Sequence, residues 1–387
     1  MTRNEQIKWF KEQETPFYFY DLEKLRMVLK ALDHEMDQYG YHMHYALKAN
    51  ANFKVLTEMI DHGYGADCVS GGEVKRALEA GFDPQKVVFA GVGKSDSEIK
   101  YALENEIGCF NVESLEELEV IEELAKEMNK TANIALRLNP DVDAKTHHYI
   151  TTGLNENKFG LNPNDLDSTL ALLKKSKNLT FKGIHFHIGS QITELSAFKH
   201  LCLKANDFLQ WFRDHKLKVE WVNVGGGLGI DYENPDEKLI PDFANFFRIF
   251  HQFLNLENGQ SLHFELGRAI VAQMGEFITR VLYIKKGISR SFAIVDGGMS
   301  ELIRPALYQA FHKIENLSQK GDPDHKYDVV GPICETSDTF GKQVSLPKTK
   351  RGDLISVRSS GAYGEVMASQ YNLRGPLKIL TSDDEMD

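Results

Sequence analysis

Short apolar runs alternate with amphipathic stretches along most of this chain. The apolar runs have the length and composition of strands that are buried on both faces. They cover residues 41–49, 65–70, 87–92, 109–114, 134–139, 183–189, 220–227 and 261–267. The intervening stretches space apolar residues three and four positions apart, which predicts helices over 73–80, 114–128, 197–215 and 242–254. Eight strand–helix units over about 230 residues predict a (β/α)8 barrel.

The pattern changes after residue 267. Residues 277–284, 292–295, 327–330 and 353–357 are short strand-like runs bounded by Gly, Pro and Asp, which predicts antiparallel β structure. Residues 16–21 (Pro-Phe-Tyr-Phe-Tyr-Asp) have the same character, and we expect them to join it. We therefore predict an α/β protein with a barrel domain over residues 24–270. Both termini, 1–23 and 271–387, are expected to form a second, antiparallel β-barrel or sandwich domain.

Composition and charge narrow the classes of function. The chain has 387 residues, of which 45 are basic and 56 acidic, and its formal net charge of −11 disfavours nucleic acid as a partner. It has no apolar run long enough to span a bilayer, and its first residues lack an apolar signal region, so we expect a cytoplasmic protein. The cysteines, Cys68, Cys109, Cys202 and Cys334, lack metal-binding spacing, so we predict neither disulfides nor a metal site.

Polar residues gather at the ends of the predicted strands. The active site of a (β/α)8 barrel lies at the C-terminal ends of its strands, so these residues are expected to meet at one rim. They are Lys48, Asp67, Ser70, Asn111, Glu113, Arg137, Asn139, His185, His187, Gly225, Gly226, Gly227, Glu265 and Arg268. A single polar residue often closes a strand simply by entering a loop. Seven strands that do so together predict a binding site.

Lys48 ends the first predicted strand between two alanines, in the segment 44–50 (His-Tyr-Ala-Leu-Lys-Ala-Asn). Most lysines are surface residues whose amine reaches water. Burial among these apolar neighbours would instead lower the pKa of the amine, which would make it a nucleophile for Schiff-base formation with an aldehyde cofactor.

Residues 225–229 (Gly-Gly-Gly-Leu-Gly) follow a predicted strand, so their backbone amides can approach an anion without interference from a Cβ. The loop suits a phosphate, although a plain tight turn is an equal alternative. It does not open a helix in the G-x-G-x-x-G pattern, so a dinucleotide site is a poor fit.

Two histidines, His185 and His187, alternate with apolar residues and therefore face the same side of their strand. They are candidates for barrel-core residues or for metal ligands, but the neighbouring strands offer no further ligands at comparable spacing. We favour an imidazole that lies beside a flat aromatic cofactor.

Glu265 and Arg268 end the eighth strand-like run. A carboxylate there can keep a pyridine nitrogen protonated, which makes the ring an electron sink; a simple ion pair between the two residues is the alternative. In the second domain, polar residues stand in Gly-rich turns, which by themselves support only a weak prediction of ligand binding.

Taken together, these segments resemble the fold-type III decarboxylases, which depend on pyridoxal phosphate (PLP). The similarity extends from residue 17 to residue 374. Its most specific elements are 45–50 (Tyr-Ala-Leu-Lys-Ala-Asn), 187–191 (His-Ile-Gly-Ser-Gln), 225–229, 304–308 (Arg-Pro-Ala-Leu-Tyr) and 334–335 (Cys-Glu).

The resemblance implies roles for individual residues. Lys48 would bind PLP as a Schiff base, His187 would stack on the pyridine ring and Glu265 would contact its nitrogen. The phosphate and its surroundings would be held by Ser190, Gly227, Arg268 and Tyr371. The substrate would contact Arg268, Arg304, Tyr308, Glu335 and Tyr371. Cys334 would donate a proton after CO₂ loss. In the family, this cysteine and its neighbouring glutamate come from the second subunit, which implies a homodimer.

Within the family, the complete segments 304–308 and 334–338 favour meso-diaminopimelate as substrate, with L-lysine as product in the last step of lysine biosynthesis. Carboxynorspermidine, ornithine and a siderophore intermediate are alternatives. A racemase would have no use for Cys334, and a non-catalytic PLP-binding paralogue would tend to lose Lys48 or Cys334. One departure from the family pattern is Leu266, which stands where proline is usual.

Overall fold

The computed structural model describes residues 2–140 and 158–384, and the first strand, β1 (Phe17–Tyr20), belongs to the second sheet described below. The next eight strands close into a parallel barrel in chain order. They are β2 (His42–Ala46), β3 (Gly65–Cys68), β4 (Val87–Phe89), β5 (Cys109–Val112), β6 (Ala132–Arg137), β7 (Leu179–His185), β8 (Trp221–Asn223) and β9 (Ser261–Phe264). The predicted barrel is thereby confirmed.

Most of the barrel strands end earlier than predicted. Residues 41–49 were predicted as one strand, whereas β2 ends at Ala46 and Lys48 lies in a 3-10 turn over Leu47–Ala49. The run 220–227 likewise shortens to β8, and the glycines follow it as a loop. Sequence periodicity cannot separate the last strand residue from an apolar turn, because both are buried in this fold.

Helices follow the barrel strands, and several of them begin at a side-chain cap. Ser70 and Ser114 each accept a hydrogen bond from the backbone N–H three residues later, which starts a helix directly after a strand. The α-helices are α1 (Arg3–Glu12), α2 (Leu22–Asp37), α3 (Phe53–Asp61), α4 (Gly71–Ala80), α5 (Asp96–Glu104), α6 (Leu115–Glu127), α7 (Leu166–Lys175), α8 (Ser196–Asp214), α9 (Phe243–Phe253), α10 (Arg268–Val271) and α11 (Arg304–Tyr308).

The second sheet contains β1 and seven later strands. These are β10 (Gly275–Lys286), β11 (Ser291–Val295), β12 (Ile314–Asn316), β13 (His325–Val330), β14 (Thr339–Leu346), β15 (Leu354–Val357) and β16 (Lys378–Thr381). Their order is β12-β15-β10-β11-β13-β14, and β1 pairs with β10 and β16. The sheet is mostly antiparallel as predicted, but β11 pairs with β13, and β1 with β16, in parallel. Strands β12, β14 and β16 were not predicted.

Two compact units emerge from the contacts. The sheet unit comprises the chain up to Val28, Ile230–Pro241 and the chain from Arg268 onwards; the barrel unit comprises Leu29–Gly229 and Asp242–Gly267. The predicted domain limits placed 230–241 in the barrel domain and remain a prediction. No helix in the described ranges is long and apolar enough to cross a bilayer.

Each unit has its own apolar core. In the sheet unit, α1 packs its aromatic side chains, Trp9 and Phe10, on Phe17 and Phe19 of β1. In the barrel unit, Val88, Cys109 and Ala135 from successive strands pack together in the interior. The buried cysteine is thus a core residue.

A buried pair of histidines joins the first and last strands of the barrel. The Nδ1 atom of His44 lies 3.0 Å from the carbonyl oxygen of Lys86, so it must carry the proton. Its Nε2 atom therefore accepts from Nδ1–H of His263 at 3.0 Å, and Nε2 of His263 accepts from the hydroxyl of Ser261 at 2.8 Å. With the hydroxyl of Ser261 as donor, each ring carries one N–H and is neutral.

Tight packing around this pair explains why residue 65 is a glycine. A Cβ at Gly65 would lie 2.5 Å from Nδ1 of His44 and 2.2 Å from the Lys86 carbonyl oxygen. Burial lowers the pKa of both histidines, that of His263 to about 2. The pair is therefore neutral at physiological pH.

Acidification should destabilise the fold through these histidines. Because their folded-state pKa values lie below 6.5, the unfolded chain binds more protons once the pH falls through 6.5. We expect each histidine to lower the free energy of unfolding by up to about 1.4 kcal/mol per pH unit below that point. Urea unfolding at pH 7.5 and 5.5 measures this loss.

The variant His44→Gln/His263→Gln should show a shallower pH dependence, since glutamine does not titrate. His200→Gln changes an exposed histidine of α8 and serves as the control. Equal pH dependence in the double variant and the parent protein would contradict the assignment.

Candidate active site

Three barrel strands supply donors to one buried carboxylate. Glu265 follows β9, and its Oε1 atom accepts hydrogen bonds from Asn111 of β5 at 3.1 Å and Asn223 of β8 at 2.7 Å. Its Oε2 atom lies 2.9 Å from Nε2 of His185 at the end of β7. The strand ends thus converge on Glu265, as the sequence predicted for this rim.

A second buried carboxylate holds the predicted cofactor lysine. Nζ of Lys48 donates to Oδ2 of Asp67 at 2.9 Å, and Asp67 is fully buried in β3. The apolar neighbours of Lys48 in the sequence predicted apolar surroundings for this amine. The structure instead shows an ion pair, and about a third of the Lys48 side chain is exposed.

The two carboxyl groups differ in their electrostatic environment. Burial works to raise the pKa of Glu265, but His185 and Lys48 outweigh it and hold this pKa well below its usual value. Burial raises the pKa of Asp67, and the negative charge of Glu265 raises it further. Glu265 is therefore the stable anion of the rim.

The glycine loop approaches its neighbours too closely for any side chain. A Cβ at Gly225 would lie 2.3 Å from the carbonyl oxygen of Phe186, and one at Gly227 would lie 2.6 Å from that of Gly189. Both glycines also have positive φ values, +69° and +107°. The amide of Gly226 donates to Nδ1 of His187 at 3.3 Å, which brings the predicted stacking histidine beside the loop.

In the sheet unit, two predicted substrate residues share a partner. Arg268 and Arg304 are both buried, and each donates to the hydroxyl of Tyr232, at 2.6 and 3.3 Å. The ring of Tyr363 lies 4.7 Å from the guanidinium carbon of Arg268 and 5.9 Å from that of Arg304. The guanidinium carbon of Arg304 lies 6.0 Å from the centre of the Tyr308 ring.

The remaining predicted residues of the sheet unit form an exposed group. The hydroxyl of Tyr371 donates to Oε1 of Glu335 at 2.7 Å, and the amide of Cys334 donates to Oδ1 of Asn372 at 3.2 Å. Cys334 is exposed, and Tyr371 is 46% exposed. Adjacent Leu373 is 95% exposed, which is unusual for a leucine.

Several residues around the arginines and the glycine loop were not predicted from the sequence. Tyr232 and His312 were not selected, because a tyrosine or histidine in a loop carries no motif by itself. Asn223 was read as part of a strand. Its spacing from Gly225 was the available signal, since Oδ1 of Asn223 accepts from the amide of Gly225 at 2.9 Å.

The convergent carboxylates, the lysine and the glycine loop define a class of enzyme. The family model described as pyridoxal-dependent decarboxylase, pyridoxal binding domain, matches residues 22–272. The chain therefore belongs to the pyridoxal-dependent decarboxylase family, and its cofactor is pyridoxal phosphate.

Comparison with individual proteins narrows the similarity to one kind of decarboxylase. The chain is 54% identical to the diaminopimelate decarboxylase of Bacteroides thetaiotaomicron over 379 residues, which cover 98% of each protein. It is similar to the crystal structure of the diaminopimelate decarboxylase of Helicobacter pylori complexed with L-lysine, with a TM-score of 0.92, 40% identity and coverage of 98% of this chain and 94% of that chain. The Vibrio cholerae diaminopimelate decarboxylase is 43% identical over 360 residues, which cover 93% of this chain and 85% of that protein.

The residues present fit pyridoxal phosphate. Lys48 offers an amine, and Glu265 offers a buried anion that uses three of its roughly four lone pairs. Oδ1 of Asp67 and Nδ1 of His185 are buried without a hydrogen-bond partner among the described residues, which is costly unless a bound group supplies one. The glycine loop leaves its backbone amides free of side chains, because a Cβ at Gly225, Gly226 or Gly227 would collide with a neighbouring carbonyl oxygen.

Gly226→Ala should damage the cofactor site directly. Its Cβ would lie 2.0 Å from the carbonyl oxygen of Glu265, so the loop or β9 must move. We expect a loss of roughly 1–3 kcal/mol in the free energy of unfolding and weaker cofactor binding. Urea unfolding and cofactor absorbance during titration measure the two effects.

Gly72→Ala is the matched control, since its nearest neighbouring atom would lie 3.7 Å away. It should leave cofactor binding unchanged. Comparable losses of cofactor binding in both variants would mean that the glycine loop has no specific role in binding the cofactor.

Proposed function

We propose that this chain decarboxylates meso-diaminopimelate to L-lysine and CO₂, the last step of lysine biosynthesis. The observation that carries the substrate assignment is Arg304, a buried guanidinium with no carboxylate partner among the described residues. A substrate with a second carboxylate supplies that partner. The relatives named diaminopimelate decarboxylase support the same substrate.

The barrel unit binds the cofactor and maintains its charge. Lys48 would hold the cofactor through its amine, and the carboxylate of Asp67, 2.9 Å from Nζ, would keep that amine in position. The family resemblance assigns the phosphate and its surroundings to Ser190, Gly227, Arg268 and Tyr371. His187 stacks on the ring.

Glu265 is the carboxylate for the pyridine nitrogen. Its pKa is held low while that of Asp67 is raised, so Glu265 stays ionised and keeps the ring nitrogen protonated. Bound pyridoxal phosphate supplies an electron sink for the electron pair that CO₂ leaves behind. Asn111 and Asn223 fix the orientation of the Glu265 carboxylate.

The sheet unit provides substrate recognition. Arg304 binds the distal carboxylate, since a guanidinium pairs with a carboxylate through two parallel hydrogen bonds. Arg268, Tyr308, Glu335 and Tyr371 complete the contacts. Ornithine and lysine each lose their only carboxylate in the reaction, so their binding leaves Arg304 buried and unpaired.

Cys334 donates the proton that completes the reaction. Its thiol protonates the substrate carbon that CO₂ has left, and solvent then restores the thiol. An exposed cysteine beside Leu373, which is 95% exposed, is poorly protected from water in a single chain. We therefore propose a homodimer in which Cys334 and Glu335 serve the partner's cofactor site. Its proposed location is the cytoplasm.

Substrate preference tests the assignment directly. The purified protein with bound cofactor should release CO₂ from meso-diaminopimelate at least about a hundredfold faster, in kcat/KM, than from ornithine or lysine, because an unpaired buried charge costs several kcal/mol. Carboxynorspermidine should be a poor substrate as well. Preference for any of these amines over meso-diaminopimelate would overturn the substrate and leave the cofactor assignment standing.

A shared site predicts complementation between two inactive variants. Lys48→Ala and Cys334→Ser should each lose nearly all activity as homodimers. Mixed and refolded together, they should recover about a quarter of the parent activity, because half of the dimers are mixed and each of these contains one intact site.

The control for complementation is a mixture of Lys48→Ala with a Lys48→Ala/Cys334→Ser double variant, which contains no intact site in any pairing. Sedimentation must show dimers in both mixtures. An inactive mixture of correctly assembled dimers would exclude a site shared between subunits.

A further inference from the structure

Two buried arginines of the sheet unit, Arg304 and Arg358, differ in whether a carboxylate lies beside them. Arg358 donates to Asp236 at 3.1 Å and to Glu315 at 2.8 Å, and its Nε lies 3.7 Å from Glu276. Arg304 is buried to a similar extent but has no carboxylate within salt-bridge distance among the described residues. A buried charge without a counter-ion is costly, so this difference calls for a reason.

Neutral acceptors hold Arg304 in place. Its Nε donates to Nε2 of His312 at 3.4 Å, and its Nη2 donates to the hydroxyl of Tyr232 at 3.3 Å. The rings of Tyr232 and His312 also pack edge to face, with centroids 5.1 Å apart. The two hydrogen bonds to this pair of rings thus fix the plane of the guanidinium.

The hydrogen-bonding pattern makes His312 a neutral acceptor. Its Nδ1–H donates to the carbonyl oxygen of Arg358 at 2.8 Å, so the lone pair lies on Nε2, toward Arg304. Burial lowers the pKa of His312 to about 3, and the charge of Arg304 adds to this effect. Near neutral pH the ring therefore orients the arginine without adding charge.

Tyr232 is the second neutral acceptor for Arg304. Its hydroxyl accepts from both Arg304 and Arg268 at the same time. Its own proton has no acceptor within the described parts of the chain, so it can still be donated to a ligand that binds the arginines. A carboxylate at this position could accept hydrogen bonds from both guanidinium groups.

We propose that Tyr232 and His312 are positioning residues that orient Arg304 while keeping its charge available for the distal carboxylate of the substrate. This inference rests on the proposed function for the identity of the substrate. It goes further by explaining how the chain distinguishes a ligand that retains this carboxylate from one that lacks it.

Binding of two ligands to the protein with bound cofactor tests the proposal without turnover. L-lysine retains the carboxylate and cadaverine, the same diamine chain, lacks it. The parent protein should bind L-lysine at least about tenfold more tightly than cadaverine, as measured by calorimetric titration. Tyr232→Phe removes one hydroxyl and should lower this ratio about five- to tenfold, mainly through weaker L-lysine binding.

His312 allows a sharper pair of variants. His312→Gln retains a neutral acceptor and should keep most of the preference for L-lysine. His312→Glu places a counter-ion beside Arg304, so the ratio should fall to about one while cadaverine binding persists. Tyr327→Phe, which removes a buried hydroxyl elsewhere in the sheet unit, is the control and should keep the parent ratio.

The outcomes separate the two proposals. Parallel weakening of L-lysine and cadaverine in Tyr232→Phe would indicate a merely structural role and overturn the inference, as would a parent protein that does not discriminate. Should His312→Glu fail to fold, Tyr232→Phe alone decides. A protein that loses discrimination in these variants, yet never releases CO₂ from meso-diaminopimelate, would refute the proposed function and leave the inference in place.

Discussion

The buried carboxylate of Glu265 places a requirement on the whole barrel rim, because a charge removed from water must be surrounded by donors. Asn111, His185 and Asn223 meet this requirement from three different strands. Their backbones must end at one level for all three to reach Glu265, so the closure of the barrel and the electrostatics of the site depend on each other. The ionised state of Glu265, on which the proposed chemistry depends, follows from this arrangement.

The turn after Glu265 shows how such positions are maintained. Leu266 stands where proline is usual in the family that the sequence resembles. Its side chain is almost fully buried, and its carbonyl oxygen accepts from the amide of Ala46 at 3.1 Å. Packing and a hydrogen bond to the segment of Lys48 thus restrain the turn without a proline ring, and Glu265 keeps its place.

Buried charges in this protein fall into two groups. Lys94 with Glu117 and Arg137 with Glu113 form ion pairs that are satisfied within the barrel unit. By contrast, Oδ1 of Asp67 and Nδ1 of His185 lack partners among the described residues, and Arg304 has only neutral ones. Satisfied pairs contribute to structure, whereas the proposed cofactor and substrate contacts fall on groups that are incompletely satisfied.

Much of the fold and of the site could be predicted from local sequence. The eight barrel strands have continuous apolar runs of the right length, and Lys48 and Glu265 end two of them, so periodicity and a barrel rule were enough to place both residues at one rim. Strands β12 and β14 escaped prediction because β12 has only three residues and β14 has only two buried ones, and without a buried face a strand leaves little pattern. The parallel pairing of β1 with β16 joins the two ends of the chain, which no local pattern reports.

The sequence by itself therefore determined the barrel and the family and predicted the cofactor lysine, because these depend on apolar periodicity and on short contiguous motifs. Only the tertiary structure decided which buried charges have a charged partner and which have neutral partners. The pairing of Lys48 with Asp67, the low pKa of Glu265 and the neutral contacts of Arg304 arise between residues distant in the chain. Their physical basis is burial and distance in space, and neither can be read from the order of residues alone.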